Sequence, residues 1–134
     1  RPLNNFLSIL VRQAIHHRTI HSFFLQVANS ARHPKWKGCG FLRTAGELAN
    51  LPGHPAMKVG ADHKKRFESW LAGQYAQVDI GDPESLARQV VLLMDGAFST
   101  MLVHRDPAYA EEAGRAAKAL VAAKLMEQGQ PSPD

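Results

Sequence analysis

Apolar residues recur at helical spacing along residues 84–103. Positions three and four apart are apolar throughout this stretch, which is the pattern of a helix with one side against a core. That stripe consists of Leu86, Val90, Leu93, Met94, Ala97, Phe98, Met101 and Leu102. Val91, Leu92 and Val103 extend the apolar surface to other sides of the helix. The pattern therefore predicts a helix that packs on its own domain with one side and on something else with another.

The start and the middle of this helix carry two further features. Asp82 and Pro83 precede Glu84, and this order is typical of a helix start. Gly96 lies in the middle, where glycine costs about 1 kcal/mol relative to alanine. We expect another helix to cross closely at Gly96, because such a crossing would explain the cost.

Helical spacing also predicts the other elements, which Pro and Gly separate. Residues 2–33 form one helix, or two that break near residues 17–19, and the remaining helices span residues 39–51, 54–78 and 108–128. The last helix is rich in alanine, whose small side chain lets another helix approach closely. We predict an all-α fold, an antiparallel helical bundle over residues 1–129 followed by a disordered tail at 130–134.

Composition indicates a globular protein in one domain. The chain has 134 residues, of which 45% are hydrophobic and 21% charged. Uninterrupted apolar runs reach about five residues, whereas roughly 20 are needed to cross a bilayer. A secretory signal is not recognisable, and the single cysteine, Cys39, is typical of a reducing compartment. We therefore expect a cytoplasmic protein without a membrane partner.

Charge is distributed unevenly along the chain. Residues 1–67 carry 11 Lys and Arg against 2 Asp and Glu, whereas residues 68–134 carry 5 against 10. A basic half can indicate a nucleic-acid surface. No nucleic-acid-binding motif accompanies the charge in this sequence, so we favour neutralisation by the acidic half, within the molecule or across an interface.

The sequence lacks the common enzyme motifs, among them the P-loop, GxGxxG, GxSxG and HExxH. His17 and His21 would share a helix face and could hold a metal, although no third ligand is nearby. Cys39 is either a thiol activated at a helix start or a small buried side chain. An all-α enzyme that uses His17, His21 or Cys39 is the least favoured hypothesis. We predict no catalytic residues, no metal, no cofactor and no enzymatic activity.

Two polar residues and a set of aromatic ones raise the question of a ligand site. His63, on the apolar stripe of its helix, either orients a ligand or is satisfied within the core. Asp95 is either a hydrogen-bonded carboxylate at a helix crossing or a polar contact in a pocket. The aromatic residues form an ordinary core, or they surround a cavity between helices that holds a small apolar ligand. They are Phe23, Phe24, Trp36, Phe41, Phe67, Trp70 and Phe98.

Four short features between residues 37 and 125 form a recognisable set. They are Gly38-Cys39, Glu47-Leu48, Pro55 before a long helix, and the run Leu93-x-Asp95-Gly96-Ala97. Together they resemble the C-terminal regulatory domain of the tetracycline-repressor (TetR) family. The resemblance implies that the last two helices of each subunit form a four-helix bundle with their two-fold mates. It also implies a small-molecule pocket beneath that bundle and a helix-turn-helix at the N-terminus.

The sequence departs from that family upstream of residue 37. Nothing there has the pattern of a helix-turn-helix, and the roughly 45–50 residues that it needs are missing. The resemblance therefore implies the sensor and dimer half of a repressor that a small hydrophobic or aromatic effector releases from DNA. Operator DNA would be contacted only through the missing domain. The alternative is a stand-alone dimeric all-α module that binds a small apolar ligand or a protein partner without DNA.

Candidate residues follow from these two hypotheses. The ligand-binding candidates are Phe24, His63, Phe67, Trp70, Met94 and Phe98. The homodimer-interface candidates are Val91, Asp95, Phe98, Leu102, Ala113, Ala117, Leu120 and Val121. Phe98 belongs to both sets because one helix is expected to serve both roles.

Overall fold

The computed structural model describes residues 18–129, which contain helices and no strand. Helix α1 occupies residues 18–31, and the later helices are α2 (Gly40–Glu47), α3 (Pro55–Gln77), α4 (Pro83–His104) and α5 (Ala108–Glu127). The predicted all-α fold is confirmed for this part of the chain. The predictions for residues before 18, including His17, and for the tail at 130–134 lie outside the described residues.

Local chemistry places the helix ends near their predicted positions. Pro55 opens α3, and the Nδ1 atom of His54 accepts a hydrogen bond from the Ala56 amide at 3.1 Å. Asp82 precedes α4 in the left-handed conformation, with a φ of 51°, and its side chain makes no capping hydrogen bond. Helix α2 ends at Glu47, four residues earlier than predicted.

Helix α4 packs against both α3 and α5. The core between them is apolar, and α1 contributes to it as well. Its largest fully buried side chains are Tyr75, Phe24, Leu71, Met101, Leu125, Val78 and Val90. Because α4 lies at the centre of this packing, side chains on its different sides face different surroundings.

Helix α1 approaches α5 closely at Gly114. A Cβ atom on Gly114 would lie 2.9 Å from the Cβ and 3.4 Å from the Cγ of Phe24. A carbon atom at 2.9 Å from another is inside the optimal separation of roughly 3.5–4.0 Å. Glycine at this position therefore allows Phe24 to reach the core, where it is 1% exposed.

Gln128 ties the end of α5 to the connection between α3 and α4. Its Nε2 donates to the Asp79 carbonyl and its Oε1 accepts from the Gly81 amide, both at 2.9 Å. Asp79 also has a positive φ, of 62°. Aspartate is one of the few residue types enriched in this left-handed region. Two hydrogen bonds from the Gln128 side chain thus stabilise a connection in which Asp79 has the left-handed backbone conformation.

Helix α4 carries two large apolar side chains on its exposed side, in addition to those on its buried side. Leu92 and Val103 are 68% and 75% exposed. Between them lies Gly96, where no other part of the described chain comes within 4 Å of an added Cβ atom. We call Leu92, Gly96 and Val103 the outer face of α4. The predicted surplus of apolar surface is present, and no helix among residues 18–129 crosses at Gly96.

By length and composition alone, α4 is also a candidate membrane span. Six of its side chains nevertheless contribute to the core of the chain, and a third (33%) of the qualifying window is buried. Core helices of soluble proteins have the same composition, so this pattern does not distinguish the two kinds of helix.

Candidate functional site

A cavity of about 310 Å³ lies between α1, the start of α2, α3 and α4. Small-molecule sites typically measure roughly 300–1,000 Å³ and are lined mainly by apolar side chains. The lining residues are Phe23, Cys39, Gly40, Phe41, His63, Lys64, Phe67, Val91, Met94, Asp95 and Phe98. The predicted aromatic cavity between helices therefore has a counterpart of suitable size in the structure.

Aromatic rings in contact build the wall of this cavity. The Phe23 and Phe67 ring centroids are 5.9 Å apart, which joins α1 to α3. The ring of Phe41 stacks on that of His63 with centroids 4.5 Å apart, which joins α2 to α3. These separations are typical of favourable aromatic pairs. Each ring pair fixes the orientation of a wall residue and the position of its helix.

Glycine allows α2 to dock closely enough to bring Phe41 to the wall. A Cβ atom on Gly60 would lie 3.2 Å from Cδ1 of Phe41. Gly60 is buried in α3, so the Phe41 ring rests directly on the α3 backbone. This contact explains why a helix as short as α2 contributes to the site.

An ion pair crosses the cavity wall between α3 and α4. The Nζ of Lys64 lies 2.6 Å from Oδ1 of Asp95, and the two side chains are 25% and 27% exposed. The same Nζ lies 5.7 Å from the centroid of the Phe98 ring, within the range of a cation–π contact. The pair therefore places one compensated positive and one compensated negative charge beside an otherwise apolar space.

The remaining polar residues of the wall are His63 and Cys39. His63 is exposed, and Cys39 is half-buried with a free thiol. Within residues 18–129, no group of three His, Cys, Asp or Glu side chains is arranged to hold a metal ion. His21, a metal candidate from the sequence, has a buried Nδ1 near Gly114, and this atom has no hydrogen-bond partner in the described part of the chain.

The structure brings four of the six predicted ligand-binding residues together in the wall. They are His63, Phe67, Met94 and Phe98. Phe24 lies outside the cavity because it is buried beside Gly114, and its neighbour Phe23 contributes to the wall instead. Trp70 is 51% exposed, and its ring centroid lies 5.9 Å from that of Phe67. Trp70 therefore contacts a wall residue without being one.

The predicted interface residues on α4 face the inside of the chain. Val91, Asp95 and Phe98 line the cavity. Leu102 lines a second groove, of about 230 Å³, between α2 and α4. None of these four belongs to the outer face of α4, because each is half-buried, whereas Val103 is exposed although it borders the same groove as Leu102.

The predicted interface residues on α5 are covered by the chain itself. Ala113, Ala117 and Val121 are 8%, 0% and 3% exposed. Leu120 is half-buried against the same core. Small side chains on α5 thus serve close packing within the chain, and a partner could not reach the three buried ones without displacing a helix.

Lys64 is the charged wall residue that the sequence pattern did not single out. It lies in the run His63-Lys64-Lys65-Arg66, which is typical of a solvated helix face. Asp95, a single carboxylate in an apolar helix, is the feature of the sequence that could have pointed to a cationic partner such as Lys64. A half-buried carboxylate requires a cation or hydrogen-bond donors, and a lysine on a neighbouring helix is the ordinary solution.

Comparisons with known proteins give a distant relationship to a transcriptional regulator. The chain is 24% identical over 103 residues to the HTH-type transcriptional regulator YjdC of Escherichia coli (strain K12), and equally to YjdC of Shigella flexneri. The match covers 77% of this chain and 53% of each relative, so the chain spans about half the length of the curated relatives that it matches. No protein-family model and no solved structure matches the chain.

Proposed function

We propose that the chain is the ligand-sensing and dimerisation domain of a TetR-like transcriptional regulator, a repressor that a small hydrophobic effector releases from DNA. The observation that carries the proposal is the position of α4. Met94 on one side of this helix lines the cavity, while Leu92 and Val103 on another side are exposed. A ligand that displaces α4 therefore acts on its outer face as well.

The curated relatives support a role in transcription. Both are named HTH-type transcriptional regulators, and the chain aligns with about half of each. In the proposal, a helix-turn-helix outside this chain contacts operator DNA, and the present chain senses the effector. A dimer would place two recognition helices about one DNA turn, roughly 34 Å, apart.

The proposed dimer contact is the outer face of α4. A second copy can approach closely there, because Gly96 has no side chain and no part of the described chain covers it. In the proposed dimer, α4 and α5 of two copies form a four-helix bundle. The contact residues are Leu92, Gly96 and Val103 rather than those predicted from the sequence.

The proposed regulation requires two arrangements of the dimer. An effector shifts the balance between them only by the difference in its affinity for each. The Lys64–Asp95 pair supplies a physical route, since it joins α3 to α4 at the cavity. A ligand that changes the separation of these side chains changes the position of α4 relative to α3.

A charge placed on the outer face tests the dimer contact. We expect the wild-type chain to have about twice its 14.7 kDa mass in light scattering, and L92R to be monomeric with unchanged helical circular dichroism. Burying an unpaired arginine at the contact is strongly unfavourable. V59R is the matched control, because Val59 on α3 is also apolar and 61% exposed. A monomeric wild type, or equal behaviour of the two variants, would reject this contact.

The regulatory role is tested on the native gene product. We expect an intact mass higher by about 5–7 kDa, enough for a helix-turn-helix of roughly 45–50 residues at the N-terminus. That product should retard DNA from upstream of its own gene in a gel-shift assay, and an effector should reverse the shift. A native product that begins near Arg1 would favour the stand-alone dimeric module instead.

A further inference from the structure

We infer that the cavity takes an uncharged aromatic ligand with one hydrogen-bonding oxygen, which is held by the Lys64–Asp95 pair. The inference rests on the proposed function and names the class of effector. It follows from the charges, the hydrogen-bonding capacity and the shape of the cavity wall.

The charges of the wall favour a neutral ligand. Lys64 is compensated by Asp95 at 2.6 Å, so neither charge is left for a ligand to neutralise. His63 lies on the exposed rim with its ring stacked on Phe41, where water solvates it. A carboxylate or ammonium group on the ligand would lose its hydration and would have to compete with one member of an existing pair.

The ion pair nevertheless retains hydrogen-bonding capacity. An ammonium group has three N–H donors, and Asp95 Oδ1 takes one from Lys64. A carbonyl or phenolic oxygen on the ligand can accept another, while a phenolic O–H can donate to the remaining acceptor sites of Asp95. Bonds to charged groups are stronger than bonds between neutral ones. The contact of Lys64 with the Phe98 ring helps to keep the ammonium beside the cavity.

The rest of the wall favours a flat aromatic body. Phenylalanine rings come from all four helices that bound the space, namely Phe23, Phe41, Phe67 and Phe98. Ring-to-ring contacts add stabilisation beyond the burial of apolar area. Filling the cavity of 310 Å³ to the density of a protein interior, roughly three quarters, calls for a small multi-ring molecule.

The test uses four probes of similar size and different charge on the 134-residue chain. They are naphthalene, 2-naphthol, 2-naphthoate and (2-naphthylmethyl)ammonium. Affinities come from NMR titration, with the methyl group of Met94 as the reporter inside the cavity. We expect 2-naphthol to bind about tenfold more tightly than naphthalene and than either charged probe, as a hydrogen bond to a charged group provides.

Three variants locate the effect. In K64M the wall loses its ammonium donor and Asp95 loses its compensating charge, so (2-naphthylmethyl)ammonium should replace 2-naphthol as the tightest probe. K58M is the matched control, because Lys58 forms a comparable pair with Asp62 on the exposed surface of α3 and should leave all affinities unchanged. D95N leaves Lys64 without its compensating charge, so that 2-naphthoate should become the tightest probe. A variant that merely unfolds cannot bind a probe more tightly, so this expected gain in affinity separates a specific effect from misfolding.

The outcomes separate the inference from the proposed function. If 2-naphthoate or the ammonium probe binds most tightly to the wild type, the inferred class is wrong while the cavity remains a ligand site. Equal affinities for 2-naphthol and naphthalene, or equal effects of K64M and K58M, also reject the inference. If no probe shifts the Met94 methyl signal, the sensing cavity itself is rejected.

Discussion

Replacing Gly114 with alanine adds one methyl group where α1 meets α5. Two effects of opposite sign follow. Alanine in the middle of a helix stabilises it by about 1 kcal/mol relative to glycine. The new Cβ would lie 2.9 Å from the Cβ of Phe24, an atom that moves only if the α1 backbone moves. Overpacking of this kind costs about 1–3 kcal/mol.

The net change depends on which effect is larger. We expect G114A to lower the free energy of unfolding by roughly 0–2 kcal/mol, the difference between these two contributions. Gly73 provides the matched control, because it lies inside α3 and no other part of the described chain comes within 4 Å of an added Cβ. G73A should therefore show the helix-propensity gain alone, about 1 kcal/mol of stabilisation.

Urea denaturation followed by circular dichroism at 222 nm measures both variants. The two should differ by about 1–3 kcal/mol, which is the steric cost itself, with similar denaturant slopes. Protein concentration must be equal in all experiments, because association would add to the apparent stability. If G114A is stabilised as much as G73A, the close contact between Phe24 and Gly114 does not exist, and the placement of α1 beside the cavity is wrong.

Two further substitutions test single groups. Burial raises the pKa of the Tyr75 hydroxyl above its ordinary value of 10.0, so above pH 10 the unfolded chain loses a proton that the folded chain keeps, and stability falls. Y75F should remove this part of the alkaline loss of stability in urea titrations at pH 8 and pH 11. Because the hydroxyl has no hydrogen-bond partner among residues 18–129, the substitution should not lower stability at pH 8. An unchanged alkaline loss would contradict the burial of this hydroxyl. Q128A should lower the free energy of unfolding by about 1–2 kcal/mol, because it removes the hydrogen bonds to Asp79 and Gly81. The control E127A should change stability by less than about 0.5 kcal/mol. Equal effects of the two variants in thermal melts would show that the hydrogen bonds of Gln128 contribute nothing to stability.

The helices could be predicted because their signals are local. The pattern at 84–103 predicted α4 to within one residue at each end, since Asp82-Pro83 marks its start in the sequence itself. Helix α2 was predicted to reach residue 51 and ends at Glu47. Gly46 lies inside the last turn of α2 rather than after it, and Pro52-Gly53 marks a later stop in the sequence. The earlier end therefore depends on how the following segment packs.

The cavity could be predicted only in part, because a helical pattern does not fix how a helix is rotated against its neighbours. Phe23 and Phe24 are both apolar and differ by about 100° around α1. The contact of Phe24 with Gly114 decides which of them faces the core, and Gly114 is 90 residues away in sequence. The same limitation applies to α5, where alanine is compatible with packing against a partner and with the internal packing observed at Ala117.

The hydrogen bonds of Gln128 have a mechanical consequence. They join the end of α5 to the connection that precedes α4. The start of α4 is therefore held in place, and a rotation of α4 about that point moves its other end furthest. At 1.5 Å per residue, Met94 lies about 17 Å and His104 about 32 Å from Pro83. When α4 rotates as a rigid rod about Pro83, a displacement of about 1 Å at Met94 corresponds to a displacement of about 2 Å at His104. Directly after His104, Arg105 donates a hydrogen bond to the Trp36 carbonyl, so a movement of this end of α4 reaches the segment that joins α1 and α2.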